Sequence, residues 1–219
     1  MAEVDWGELG MEGLGFFSKM SASISHEIKN YLAIINEKAG LSNDLLLMAD
    51  KGRPLDQEMI KDLAQSIVQQ VKRADQVVKN MNRLAHSIDE PLCDLDLNET
   101  VELLVALCHR FAASKRISLE MSLPAGSVRV ESSPFFLMYM IFHYLDRAMS
   151  HSKNGEVQVL LKDGGSVAEV SIVGSGEGTG HSSEDVPGAI SLLQDKLGIN
   201  IDFEGKAGEV VIRVPKALD

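Results

Sequence analysis

The sequence contains few cysteines and lacks a long apolar run. Its two cysteines, Cys93 and Cys108, have neither the spacing of metal ligands nor that of a disulfide framework, which predicts a reducing, cytoplasmic environment. No stretch of about 18 uncharged apolar residues occurs, so we expect no membrane-spanning helix. The N-terminus also lacks the basic start and apolar core of a secretory signal, so we expect no export.

Positive charge is scarce as well. The chain carries 21 lysines and arginines against 32 aspartates and glutamates, a formal net charge of -11 at pH 7. Nucleic-acid binding requires a basic face that neutralises phosphates. The charge balance therefore argues against a nucleic-acid partner, although it names no other partner.

A helical pattern occupies most of the first part of the chain. Residues 1–15 contain four glycines and predict an irregular lead-in. Apolar residues at helical spacing then predict one helix over residues 16–49 and a second over residues 55–88, separated by a turn that contains Gly52 and Pro54. Two long helices joined by a short turn form an antiparallel hairpin.

The second helix of this hairpin carries a continuous apolar stripe. Its members recur at steps of three and four residues: Ile60, Leu63, Ile67, Val71, Ala74, Val78, Met81 and Leu84. A lone hairpin cannot bury such a stripe, whereas pairing with a second copy of the chain can. We therefore predict that a first domain, residues 1–90, forms a homodimeric four-helix bundle.

The pattern changes at Pro91. Residues 91–219 combine short strand-like segments with amphipathic helices, in an order that predicts an α/β sandwich whose sheet is covered on one face by helices. Asn98 is the predicted N-cap of a helix that ends near Ala113, and residues 134–149 predict a strongly apolar helix. The predicted fold class is thus α + α/β, a helical hairpin followed by an α/β domain.

One stretch of the first helix, "SASISHEIKNYLAII", places polar residues within an apolar-periodic segment. On a helix with about 100° per residue, one side carries the apolar residues Ile24, Ile28, Tyr31 and Ile35. The opposite side carries His26, Lys29, Asn30, Ala33 and Glu37. His26 is therefore predicted on the water-facing side of a bundle, where a structural histidine is not needed.

His26 and Glu27 form a pair with a defined chemistry. A neutral imidazole nitrogen is a nucleophile near pH 7, because the unperturbed pKa of histidine is about 6.5. A neighbouring carboxylate can hold the tautomer or take the proton. An ordinary solvated histidine is the alternative for a single exposed His. Asn30 stands where a zinc-binding His-Glu-x-x-His helix has its second histidine, so we predict no metal site.

The segment "ISHEIKNYLAII" resembles the phosphoacceptor box of sensor histidine kinases, in which a His-Glu pair lies on the first helix of a dimeric bundle. The resemblance implies that His26 is the phosphorylated residue and Glu27 its acid/base partner. It also implies that Asn30 holds the water that dephosphorylates a response regulator. Tyr31 departs from the family, which usually has a helix-bending proline at this position.

The resemblance extends more weakly to the ATP-binding domain of those kinases. Where the family has two asparagines four residues apart, one of which binds Mg²⁺ with the phosphates, this chain has His143 and Arg147. A guanidinium cannot ligate Mg²⁺, which prefers oxygen donors. In the family's Asp-x-Gly-x-Gly box, Gly174 replaces the aspartate that binds adenine, while Gly176 and Gly178 remain.

A third nucleotide-binding element is also reduced. The glycine-rich motif that closes over the triphosphate in the family is represented here by residues 187–189, Pro-Gly-Ala. Three degraded elements predict a retained fold and a lost ATP site. We therefore expect no cofactor, neither ATP nor Mg²⁺, in this chain.

The predicted function is that of a histidine phosphotransfer protein, similar to those phosphorelay proteins in which a bundle is fused to a degenerate ATP-binding domain. His26 would carry a phosphoryl group between the receiver domains of response regulators. Two alternatives stay open. One is a divergent cytoplasmic histidine kinase that phosphorylates His26 from ATP with Mg²⁺, and the other is a regulator or phosphatase that acts by docking or through Asn30.

Overall fold

The computed structural model describes residues 6–152, 155–175, 186–204 and 209–217. The elements follow in the order α1 (Trp6–Asp50), α2 (Gln57–His86), β1 (Cys93–Asp96), α3 (Leu97–Lys115), β2 (Ser118–Ser122), β3 (Arg129–Ser132), α4 (Pro134–His151), β4 (Glu156–Asp163), β5 (Val167–Gly174), α5 (Gly188–Leu197), β6 (Asn200–Glu204) and β7 (Glu209–Pro215). A helical N-terminal region thus precedes an α/β domain, as the fold class predicted.

Helix α1 begins at Trp6, so the irregular lead-in predicted before Phe16 is wrong for the described residues. An isolated glycine destabilises a helix by about 1 kcal/mol relative to alanine. Burial of apolar side chains offsets that cost, because Leu9 is 2% exposed and Phe16 is 3% exposed. Gly13 allows close packing, since a Cβ there would lie 3.2 Å from the Cε1 atom of Phe135.

The chain divides into two compact units by its internal contacts. One unit comprises Met20–Asn82, the greater part of the helical hairpin. The other comprises the chain up to Lys19 together with the chain from Arg83 onward. The first turns of α1 therefore belong to the same unit as the α/β domain, whereas the predicted domain boundary lay between residues 90 and 91.

In the hairpin unit, α1 and α2 are joined by a turn in which Gly52 has a φ of 87°, a conformation that favours glycine. Arg73 of α2 acts electrostatically on Tyr31 of α1. These residues lie at similar separations from the turn, which is the arrangement of an antiparallel hairpin. The hairpin itself is therefore present as predicted.

The described residues of the α/β unit form two sheets. The larger has the strand order β2-β4-β5-β7-β6, in which β2 runs parallel to β4 and every other neighbouring pair is antiparallel. Val159 pairs with Ile172, and Val170 pairs with Ile212, so buried apolar residues face each other across the central strands. The smaller sheet pairs β1 with β3.

Helix α4 supplies the centre of the core. It contacts α3, α5 and β5, and Pro134 at its first turn suits the helix start. Its largest fully buried apolar side chains are those of Leu137, Met138, Met140, Ile141, Leu145 and Met149. Helix α4 also carries His143 and Arg147, which stand where the related kinases have asparagines. The packing of the helix therefore determines the surroundings of these two side chains.

The predicted N-cap of α3 is wrong by two residues. Asp96 is the N-cap, and its side chain accepts a hydrogen bond from the Asn98 backbone N–H at 2.9 Å. The Asn98 amide instead donates to the backbone oxygens of Pro124 and Gly126, at 3.1 and 3.2 Å. Both residue types can cap a helix, and the long-range contacts of Asn98 decide the choice.

Candidate functional site

The predicted division of α1 into two faces matches the exposure of its side chains. Ile24 is 4% exposed, and the remaining residues of the apolar side, Ile28, Tyr31 and Ile35, are half-buried. The residues of the opposite side, His26, Lys29, Asn30, Ala33 and Glu37, are all exposed. The His26 imidazole is therefore accessible from solvent, as an acceptor of a transferred group must be.

His26 and Asn30 are four residues apart on a helix, so they lie on the same face one turn from each other. Both are exposed. The structure thus brings together two of the three predicted site residues on an open surface. Their chemical roles stay predictions.

Glu27, the third predicted site residue, makes a specific contact. The Tyr31 hydroxyl donates a hydrogen bond to Glu27 Oε1 at 2.7 Å, and both side chains are half-buried. Burial raises the pKa of Tyr31 to about 12, helped by the hydrogen bond and the charge of Glu27, while Arg73 opposes this effect. The phenol therefore keeps its proton, and so remains a donor, throughout the neutral pH range.

Tyr31 also explains the shape of α1 at this point. A proline there would remove a backbone hydrogen bond and kink the helix. With tyrosine in that position, α1 continues as one helix through Asp50. The helix is therefore unbroken at the position where the family resemblance has its proline.

The positions aligned with the kinase asparagines lie in the other compact unit. His143 and Arg147 line an open cavity of about 490 Å³ between α4 and the first turns of α1. Burial, followed by the charge of Arg147, lowers the pKa of His143, so its ring is neutral at pH 7. Its Nε2 atom is buried and has no hydrogen-bond partner within the described residues.

A carboxylate between two ammonium groups lies on the wall of the same cavity. Asp146 Oδ2 is 2.7 Å from Lys19 Nζ, and Asp146 Oδ1 is 2.7 Å from Lys115 Nζ. Lys19 Nζ also lies 5.0 Å from the centroid of the Phe142 ring. Burial alone would raise the pKa of Asp146, but the two lysines hold that pKa below its usual value.

Replacing Asp146 with asparagine is expected to lower the free energy of unfolding at pH 7 by about 1 to 3 kcal/mol, because it leaves two lysines without their carboxylate. Since the pKa of Asp146 is depressed in the folded state, its stabilisation is complete above the unfolded pKa of about 3.9 and disappears as pH falls further. Urea unfolding at pH 7 and pH 3 measures the effect.

The exposed Asp195 of α5 provides the control for this pH dependence. Asp195→Asn should leave the free energy of unfolding almost unchanged at both pH values. A difference between wild type and Asp146→Asn that stays constant from pH 7 to pH 3 would contradict the electrostatic account.

The described side chains that line this cavity are poorly suited to hold Mg²⁺. Mg²⁺ requires oxygen ligands, but His143 offers a neutral ring whose Nε2 atom is buried. Both Asp146 oxygens contact lysines, and Glu12 accepts a hydrogen bond from the Tyr139 hydroxyl at 3.3 Å. Among the described residues, each carboxylate that lines the cavity is therefore already paired, either with a lysine or with a hydroxyl group.

The remaining predicted nucleotide elements are only partly described. Gly174 is buried at the end of β5, where it pairs with Val157 of β4. Its replacement of an aspartate therefore leaves no carboxylate at that point. Gly176 and Gly178 lie outside the described residues. Pro187 precedes α5, whose first residue is Gly188.

Sequence reasoning missed the residues that α1 contributes to this cavity. Glu12, Phe16 and Lys19 fell in or beside the segment expected to be irregular. The signal was present in the helical spacing of Leu9, Phe16 and Met20, all of which are buried. The glycines between these residues favoured the prediction of an irregular segment instead of a helix.

The described part of the chain offers no cluster of three or more histidine, cysteine or carboxylate side chains able to hold a metal ion. Among its helices, none combines the length and the apolar character that crossing a membrane requires.

No family model matches the sequence. The sensor histidine kinase ZraS of Klebsiella oxytoca is 27% identical over 169 residues, which cover 76% of this chain and 35% of that protein. The chain therefore spans about a third of the length of this curated relative.

Solved structures of similar fold include the catalytic domain of a histidine kinase. The catalytic domain of the histidine kinase ThkA, in a nucleotide-free form, matches 59% of this chain and all of its own with a TM-score of 0.51 and 16% identity. Full-length ShkA, solved in complex with AMPPNP, matches 87% of this chain and 46% of its own with a TM-score of 0.51 and 16% identity. The predicted fold class is confirmed.

Proposed function

We propose that this histidine kinase-like protein of two-component signalling is a histidine phosphotransfer protein that does not use ATP. In this proposal His26 accepts a phosphoryl group from one receiver domain and passes it to another. The observation that carries it is the exposed His26 on the polar face of α1, next to a glutamate that is held by a hydrogen bond.

The transfer step follows from the chemistry of the imidazole. A ring nitrogen of His26 attacks the phosphorus of the receiver's aspartyl phosphate, a nitrogen–phosphorus bond forms, and the phosphorus–oxygen bond to the aspartate breaks. The aspartate leaves as a carboxylate. The proton on the other ring nitrogen passes to the Glu27 carboxylate, which acts as general base. Transfer to a second receiver aspartate is the reverse sequence.

A receiver domain is the proposed partner because its aspartyl phosphate can react only with a histidine that is exposed to solvent, as His26 is. Such a domain carries its own Mg²⁺ in the family, so this chain needs to supply no metal ligand. Arrival of a folded partner also requires a broad accessible surface. The exposed Lys29, Asn30 and Ala33 on the face of His26 provide one.

A second copy of the chain is also proposed as a partner. Large apolar side chains of the hairpin unit are between 37% and 55% exposed in the single chain: Leu32, Leu41, Leu46, Leu47, Met48, Leu55, Met59, Val68, Val71 and Val78. Apolar exposure on this scale favours association. A homodimeric four-helix bundle accounts for it, and sedimentation equilibrium is the direct measurement.

The proposed absence of ATP chemistry is supported by the surroundings of His143 and Arg147. Phosphoryl transfer from ATP depends on a bridged metal and on donors that neutralise the developing charge. In this chain the metal-ligand position holds a neutral imidazole, and the nearby Asp146 carboxylate is neutralised by lysines. We therefore assign the α/β unit a role as scaffold or docking surface.

A divergent histidine kinase is the second candidate. It is favoured by the similarity of fold to kinase structures and by the 27% identity to a sensor histidine kinase. In that case His26 remains the acceptor and ATP becomes the donor. A phosphatase or regulator acting through the exposed Asn30 is a third, and it differs from both in having no phosphoryl group on His26.

The test is to incubate the full chain with Mg²⁺ and ATP labelled at the γ-phosphate, for wild type and for His26→Ala, with calorimetry of ATP binding in parallel. We expect no label on either protein and no heat of ATP binding. A parallel incubation with phosphoramidate, a small phosphoryl donor that does not require an ATP site, should phosphorylate His26 in the wild type.

Label from ATP that disappears in His26→Ala would overturn the proposal in favour of the kinase. If neither ATP nor phosphoramidate places a phosphoryl group on His26, the regulator or phosphatase is favoured instead. Thus the two donors together separate all three candidates.

A further inference from the structure

The hydrogen bond between Tyr31 and Glu27 lies next to the proposed phosphoacceptor. The two residues are four positions apart on α1, so their side chains meet on one face of the helix. His26 is the neighbour of Glu27 in sequence and points to the exposed side. Glu27 therefore stands at the border between the exposed face and the half-buried face that carries Tyr31.

The bond restricts a side chain that would otherwise be mobile. A glutamate has three rotatable bonds, so fixing its side chain costs conformational entropy. The tyrosine ring has few rotamers, and its half-burial limits them further. A stiff donor thus fixes a flexible acceptor through Oε1, whereas Oε2 has no hydrogen-bond partner among the described residues.

The donor in this bond is stable against changes near neutral pH. The charged groups that act on Tyr31 are Glu27 on its own helix and Arg73 on α2. Since the pKa of Tyr31 is about 12, the phenol remains protonated and continues to donate. Near neutral pH, where a histidine is nucleophilic, the hydrogen bond is therefore not lost by deprotonation of Tyr31.

We propose that Tyr31 is a positioning residue for phosphoryl transfer at His26, because its hydroxyl holds Oε1 of Glu27 and so keeps Oε2 available as the base. The inference rests on the proposed function, in which Glu27 takes the ring proton of His26. It gives a role to Tyr31, the residue that stands where the sensor histidine kinases usually have a proline.

The reaction with phosphoramidate isolates this step. A ring nitrogen of His26 attacks phosphorus, the phosphorus–nitrogen bond of the donor breaks, and its protonated nitrogen leaves as ammonia. The remaining ring proton passes to Oε2 of Glu27. No other protein takes part, so the rate reports the surroundings of His26 in this chain alone.

The experiment measures the initial rate of His26 phosphorylation by phosphoramidate for the full chain, using intact mass and peptide mapping under alkaline conditions. Tyr31→Phe keeps the ring and removes the hydroxyl, and we expect it to slow the reaction about tenfold. Glu27→Gln should slow it at least as much. The double variant should be no slower than Glu27→Gln, since Tyr31 acts only through that carboxylate.

Tyr139→Phe is the matched control, because the Tyr139 hydroxyl also donates to a glutamate, Glu12, but in the other compact unit. Its rate should equal that of the wild type. A wild-type rate for Tyr31→Phe, a faster one, or an equal further loss in the Glu27→Gln background would overturn the role of Tyr31. If wild type itself takes no phosphoryl group on His26, the proposed function fails instead.

Discussion

Replacing His26 with glutamine is expected to abolish phosphoryl acceptance, with a loss of about 100-fold or more. Glutamine keeps a polar side chain of similar reach but has no nucleophilic ring nitrogen. Since His26 is exposed on a helix whose other face is half-buried, the substitution should leave folding unchanged. The measurement is the amount of protein-bound phosphoryl group after reaction with phosphoramidate, by intact mass under alkaline conditions.

His109 provides the matched control for that result. It is also exposed and also lies on a helix, α3, but the residue that directly follows it is Arg110 and not a carboxylate. His109→Gln should retain the wild-type rate of phosphorylation. Equal loss in both variants would mean that phosphoramidate reacts with exposed histidines without preference, which would contradict a special role for the His26 surroundings.

The face that carries His26 could be predicted from the sequence because it depends on periodicity alone. Apolar positions such as Ile24 and Ile28 must turn toward packed surroundings, and a period of about 3.6 then fixes the direction of every residue between them. The order of helices and strands followed from the same local patterns. Neither inference required knowledge of any contact distant in sequence.

Contacts distant in sequence explain what the sequence could not predict. The helical state of residues 6–15 depends on rings of α4 that pack against Phe16 and approach Gly13. The N-cap of α3 depends on Asn98 being engaged by the loop that carries Pro124 and Gly126. In both cases local propensity favours one structure and tertiary packing selects another.

The candidate site shows the same limit at the level of a single side chain. The pair His26 and Glu27 was visible in the sequence, but the partner of Glu27 was not. Tyr31 was recognised only as a departure from proline, whereas the structure gives its hydroxyl a bond to that glutamate. A helical i, i+4 spacing of Glu and Tyr was the available signal.

At the cavity on α4, the sequence predicted where side chains lie but not the burial and charge around them. Alignment of residue types placed His143 and Arg147 correctly on one helix face. It did not reveal the burial that keeps His143 neutral, or the lysines on either side of Asp146. Since Lys19 comes from α1 and Lys115 from α3, the electrostatics of this surface is a property of three helices.

Phe16→Ala is expected to have the largest effect on stability. The Phe16 ring is 3% exposed, and its centroid lies 5.5, 6.0 and 5.3 Å from those of Phe135, Tyr139 and Phe142. Truncation to alanine removes these contacts and leaves a cavity, which typically lowers the free energy of unfolding by about 3 to 5 kcal/mol. Urea unfolding followed by circular dichroism measures the loss.

Phe17→Ala is the control for this prediction, because Phe17 is the same residue type on the same helix but is only half-buried. Its truncation should cost about 1 to 2 kcal/mol, in proportion to the smaller apolar area removed from water. Equal losses for the two variants, or a loss below about 1 kcal/mol for Phe16→Ala, would mean that the first turns of α1 are not packed on α4 in solution. The Lys19–Asp146 pair would then have to be absent as well, since both contacts hold the same segment against the same helix.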